Sequence, residues 1–200
     1  MIGKLTGTIL TAAVLLVGPV LAQDAGKAPQ MTPEQQAEMA AYQKAATPGA
    51  QHKALAATVG KYSLKVKSWP APGAPPLEDS GTATRTMALE GRVMVEDVNG
   101  TMMGGPMTGH GMTGYDNVTG KYWSTWNDTM GTGLLVSYGT CDEKNNCAFS
   151  GSWNDPIKKG PVTSRMTTRW TSPTTEVFEM YGPAKDGKEF KMMEITYTKM

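Results

Sequence analysis

The chain has 200 residues, with 19 Lys and Arg against 18 Asp and Glu for a formal charge of +1. That length fits one ordinary domain with a sizeable core. The near balance of charge excludes a nucleic-acid or anionic-membrane binder, which would carry a basic excess on one element.

At the start, Lys4 supplies a positive n-region, Ile9 to Val17 an apolar h-region and Val20-Leu21-Ala22 the cleavage positions. Residues 1–22 therefore read as a signal peptide cut after Ala22. A retained anchor is the alternative, but Gly18 and Pro19 interrupt the apolar run, which is short for a span of about 20 residues. No Cys follows to carry a lipid, and no later segment is apolar enough to cross a bilayer. A periplasmic or secreted protein with no stable membrane insertion after cleavage is expected. Lys4 is the one charge in the signal, so basic and acidic residues balance in the rest.

Residues 23–31 are polar with scattered Gly, Pro and Gln and read as a flexible lead. Thr32-Pro33-Glu34-Gln35 then offers an N-cap, a proline at the first helical position and a capping-box Gln, predicting a helix to about Ala46. Thr47-Pro48 repeats the signal, and a second short helix is expected over 49–58, with Leu55 and Val59 inward and Gly60 ending it. These helices, within 32–59, are expected to cover one mouth or edge of a sheet occupying 60–200.

From Lys61 the period changes to two. Tyr62, Leu64 and Val66 alternate with Lys61, Ser63, Lys65 and Lys67, the pattern of a half-buried strand. The stretch Pro70-Ala71-Pro72-Gly73-Ala74-Pro75-Pro76 cannot pair in a ladder and must be an exposed loop. Further strands are predicted near 80–89, 92–99, 108–116, 120–127, 133–140, 147–153, 162–171, 175–182 and 188–199. Glu90-Gly91, Asn99-Gly100, Thr119-Gly120, Thr129-Met130-Gly131, Ser172-Pro173 and Lys185-Asp186-Gly187 suit tight turns between them. Short turns make neighbours antiparallel, and about ten such strands must close on themselves or split into two sheets. The expected fold is mainly β, an antiparallel up-and-down β-barrel with an N-terminal helical segment; a sandwich is the alternative.

Cys141 and Cys147 flank Asp-Glu-Lys-Asn-Asn, a hairpin with a thiol at each foot. In an oxidising compartment the two should pair; a redox-active pair is the alternative, but the spacing is not Cys-x-x-Cys.

The run Gly114-Tyr115-Asp116-Asn117, then Lys121-Tyr122 and Ser124-Thr125-Trp126-Asn127-Asp128-Thr129-Met130-Gly131-Thr132-Gly133, resembles a family of uncharacterised bacterial proteins, domain of unknown function 1579. His52 and Leu55 before Val59-Gly60, Gly91-Arg92, Gly139 and the terminal Met193-Glu194-Ile195-Thr196-Tyr197 extend the resemblance from about residue 50 to the end. It implies a calycin-like (lipocalin-like) barrel and no defined reaction. Met107 and His110 depart from the pattern, standing where such proteins often carry an aromatic and a less polar residue.

A barrel of this kind holds a guest among inward side chains. Arg85, Met87 and Leu89 share one face of their strand, Tyr122, Ser124, Trp126 and Asp128 one face of theirs, and Phe190, Met192 and Glu194 one face of the last. Arg85 and Glu194, if both inward, would each need a partner and could serve each other. Arg85, Tyr115, Trp126, Asp128 and Glu194 are therefore the candidate ligand-binding residues, with the guanidinium meeting an acid headgroup and the aromatics its apolar part. The structural alternative is an ion pair with aromatics that fill the barrel. Met102, Met103, Met107, His110 and Met112 form a second set, soft enough for copper(I), against the alternative of gap-filling methionines. His-Glu-x-x-His and Gly-x-Ser-x-Gly are missing, no nucleophile stands beside a base, and no cofactor motif is present. The sequence thus points to non-catalytic binding of a small amphipathic or apolar molecule, with soft-metal binding or a side-chain-filled structural module as alternatives.

Overall fold

The computed structural model describes residues 31–156 and 159–200. The expected signal peptide and all but the last residue of the expected lead lie outside the described residues. Helix α1 (Pro33–Ala46) begins at the N-cap read from the sequence, with Gln35 N–H donating to Thr32 Oγ1 at 3.2 Å and Thr32 N–H to Gln35 Oε1 at 2.9 Å. Helix α2 (Ala50–Ala57) is capped differently: Gly49 has no side chain, and its N–H donates to Nδ1 of His52 at 3.0 Å.

Ten strands follow: β1 (Gly60–Ser68), β2 (Leu77–Ala88), β3 (Val93–Met102), β4 (Gly105–Asp116), β5 (Lys121–Asp128), β6 (Leu135–Cys141), β7 (Cys147–Asp155), β8 (Gly160–Ser172), β9 (Thr175–Pro183) and β10 (Glu189–Lys199). Each pairs antiparallel with its neighbour in sequence, and β1 pairs with β10 to close the barrel. Period-two patterning causes this directly. Tyr62, Leu64 and Val66 are buried while Lys61, Ser63, Lys65 and Lys67 face out, and closure leaves no edge to protect.

One predicted turn is wrong. Asn99 and Gly100 lie inside β3, and the reversal comes at Met103-Gly104, where both residues have positive φ (52° and 78°). Gly100 is instead needed for close strand approach: a Cβ there would sit 2.5 Å from the Ser80 carbonyl oxygen and 2.7 Å from Gly81 Cα.

The helices divide their roles. Leu55 of α2 packs with Met94 of β3 and Tyr122 of β5, so α2 plugs the end of the barrel where the chain enters. Helix α1 buries no side chain, contrary to the expectation that both helices cover the sheet. Its C-terminal end is held by polar bonds to hairpin turns, Asn117 Nδ2 donating to the Ala45 and Thr47 carbonyls (2.9 and 2.8 Å) and Arg92 Nη2 to that of Ala46 (3.0 Å).

Cys141 and Cys147 are directly opposed at the feet of the β6–β7 hairpin and form the expected disulfide. Replacing both with Ala should cost about 2 kcal/mol of stability, the chain-entropy value for so short a loop. Urea denaturation checks this, and an unchanged midpoint would show that the hairpin constrains the unfolded chain as strongly without the bond.

Candidate functional site

The lumen contains a cavity of about 230 Å³ that runs from Leu55 and Thr58, beside the plug, to Met102, Asp128 and Leu135 near the opposite end. Its wall is mostly apolar, with Leu64, Val66, Phe178 and Ile195 on one side and Trp126 and Phe149 on the other.

The polar part of the wall is built around Arg85. The side chain is 8% exposed and has two carboxylate partners: Nε donates to Glu96 Oε1 at 2.7 Å and Nη1 to Glu176 Oε2 at 2.5 Å. Glu96 stands directly opposite Arg85 across the β2–β3 ladder. Glu176 belongs to β9, with β10 and β1 intervening. The guanidinium spans those two strands over their tyrosines, its Cζ lying 4.6 Å from the ring centre of Tyr197 and 4.9 Å from that of Tyr62. Tyr62 in turn donates its hydroxyl to the Thr58 carbonyl, tying the group to the end of α2.

Burial disfavours a charged guanidinium, but the charges of Glu96 and Glu176 outweigh it and hold Arg85 well above its ordinary pKa. Burial, reinforced by the Glu96 charge, pushes the Tyr197 hydroxyl far up despite the opposing influence of Arg85. Both groups therefore keep one protonation state at physiological pH.

A second polar unit sits toward the far end. Trp126 Nε1 donates to Asp128 Oδ2 at 2.8 Å, and the Met130 N–H donates to Asp128 Oδ1 at 2.9 Å. The indole lies against the neighbouring strand because that strand has no side chains beneath it: a Cβ on Gly109 would fall 2.3 Å from the Trp126 ring, and one on Gly111 3.0 Å.

The five candidates are thus only partly assembled. Arg85, Trp126 and Asp128 line the cavity. Tyr115 faces inward but packs within the plug, edge to face with Tyr122 at 4.9 Å and with His52 at 5.9 Å. Glu194 is on the outer face, where Lys191 Nζ donates to it at 2.5 Å and to Glu179 at 3.1 Å, so the expected Arg85–Glu194 pair is replaced by Arg85 with Glu96 and Glu176. A register shift between Lys191 and Met193 inverts the parity of β10 and brings Met193, Ile195 and Tyr197 to the cavity.

Glu96 and Glu176 were missed by the sequence reading, although each left a mark. Glu96 stands between Met94 and Val98 on an otherwise apolar parity, and Glu176 shares a parity with Phe178 and Met180.

The soft-ligand set is divided by the pleat. Met102 and Met107 line the cavity, Met103 is in an exposed turn, and Met112 faces out beside His110, whose Nδ1 is 2.8 Å from Asp97 Oδ1. Among the described residues no group of three or more His, Cys, Asp or Glu could hold a metal ion. No described helix is long and apolar enough to cross a membrane.

Residues 47–199 match the family model described as Protein of unknown function (DUF1579). The chain belongs to this family. The DUF1579 barrel seen here is also similar to the crystal structure of Rv2717c from M. tuberculosis, with a TM-score of 0.57 at 10% identity, covering 77% of this chain and 99% of that one. A redesigned beta barrel matches at a TM-score of 0.38 and 12% identity, over 74% of this chain and 95% of that one, too low to carry an argument. No curated protein matches. At such identities the likeness is one of fold alone.

Replacing Arg85 with Met should leave Glu96 and Glu176 buried without their shared cation, costing about 3–5 kcal/mol at neutral pH. Denaturant midpoints of wild type and variant at pH 7 measure the effect; a variant as stable as wild type would contradict the buried triad.

Proposed function

We propose that this protein is exported and binds a small, predominantly apolar molecule inside its barrel without transforming it. One observation carries the reading: a cavity of about 230 Å³ lies within mostly apolar walls, with its charged groups confined to the Arg85 and Asp128 units. An apolar cavity of that size gains affinity simply by removing a guest's hydrocarbon surface from water.

Six methionines, Met94, Met102, Met107, Met166, Met180 and Met193, line the cavity. Unbranched thioether side chains repack around guests of different outline at little cost, which favours a range of related molecules over one shape. The disulfide between Cys141 and Cys147 and the signal-like first 22 residues both favour an oxidising compartment outside the cytoplasm.

An acid headgroup on Arg85 is not part of this proposal. Two of the three guanidinium nitrogens already donate to carboxylates, and an acid brought to the third, Nη2, would stand beside the charges of Glu96 and Glu176.

Calorimetric titration with 1-octanol tests the reading. Saturable one-to-one binding with a negative heat-capacity change is expected. Ser137 lines the cavity and is 3% exposed, so Ser137→Phe should place a ring in the lumen and weaken binding at least tenfold, whereas Tyr138→Ala on the outer face should leave it unchanged. No saturable binding to wild type, or equal binding to a folded Ser137→Phe variant, would refute the site.

A further inference from the structure

We infer that the lumen selects a cationic guest, a small apolar molecule ending in a protonated amine. The inference rests on the cavity being a binding site and adds the chemical class of what enters it.

Among the described residues, the charged side chains lining the cavity are Arg85, Glu96, Glu176 and Asp128, one cation against three carboxylates. Asp128 has both oxygens engaged, by Trp126 Nε1 and by the Met130 N–H. Glu96 and Glu176 do not. Arg85 takes Oε1 of the first and Oε2 of the second, leaving one oxygen on each carboxylate. Among the described residues no side-chain oxygen is both fully buried and without a partner, so these two remaining oxygens must open on the lumen that both residues line.

The electrostatic result is asymmetric. One guanidinium neutralises one carboxylate's worth of charge, and in a medium less polar than water the excess negative charge acts strongly on anything placed beside it. An ammonium group brought to the free oxygens of Glu96 and Glu176 would gain two charge-assisted acceptors and complete the local neutrality. A carboxylate brought to the same place would meet two like charges, with Nη2 alone of the guanidinium nitrogens left to donate to it. Neutral polar ends fall between, since a hydroxyl can donate to either oxygen but brings no charge. The methionine-lined remainder of the wall accommodates the apolar body in all three cases.

Three guests with the same eight-carbon body and different ends separate the possibilities: octylamine, 1-octanol and octanoate, titrated calorimetrically into the full-length mature protein at pH 7.5. Octylamine should bind at least tenfold more tightly than octanoate, with 1-octanol between them. Glu176→Gln and Glu96→Gln, each checked for folding by circular dichroism, should each reduce the ratio of octylamine to octanol affinity. Should a variant fail to fold, the order of the three guests on wild type decides the matter. Equal affinities, or octanoate tightest, would overturn the charge selection and leave the apolar cavity standing. Failure of all three to bind would overturn the cavity reading and this inference with it.

Discussion

A single buried cation spans the place where the barrel closes. Up-and-down closure requires the first strand of the sheet to find the last, and Arg85 reaches from β2 across the β1–β10 seam to Glu176 on β9 while holding Glu96 on β3. Five consecutive strands of the closed sheet are thereby joined by one side chain, two carboxylates and two tyrosine faces. A buried ion pair brings little net stability once desolvation is counted. It does make alternatives costly: a slip of one residue in β2 or β9 would turn one member of the group out of the lumen and leave the others as uncompensated charges. Register specificity is the service this group provides, and the chemistry left over in the lumen is its consequence.

The lumen stays partly open for a complementary reason. Side chains large enough to fill it are held against the wall by glycines on neighbouring strands: Trp126 lies over Gly109 and Gly111, and a Cβ on Gly139 would come within 2.8 Å of the Phe149 ring. The same device appears outside, where Trp123 covers Gly114, whose Cβ would fall 2.4 Å from the indole. Aromatic mass is laid flat on the sheet, and the remaining volume is bordered by flexible methionines.

Much of this architecture was legible because it rests on local rules. The capping box at Thr32, the alternation after Gly60 and the turn residues at Gly91, Gly120 and Gly187 each act within a few residues, and the strands fall close to their expected bounds. The misreadings share a different cause. Asn99-Gly100 has the composition of a turn, but the need for Gly100 comes from Ser80 and Gly81 on the adjacent strand, a contact distant in sequence. Glu194 was a candidate for the inner face because it shares a parity with Phe190 and Met192, but β10 carries apolar residues on both parities, and only the bulge between Lys191 and Met193 decides between them. Arg85 was recognised as needing a partner, yet its partners could be named only once strand order placed β9 three strands away, beyond β1 and β10. Glu96 and Glu176 show that one charge among apolar residues of the same parity is the sequence mark of a luminal network.

The commitment of Arg85 to its two carboxylates is most directly tested by nuclear magnetic resonance of its guanidinium, with and without octanoate. A locked group predicts a slowly exchanging Arg85 Nε–H, Overhauser contacts to the ring protons of both Tyr62 and Tyr197, and no shift when octanoate is added. A freely rotating, rapidly exchanging guanidinium whose resonances move with octanoate would contradict the account.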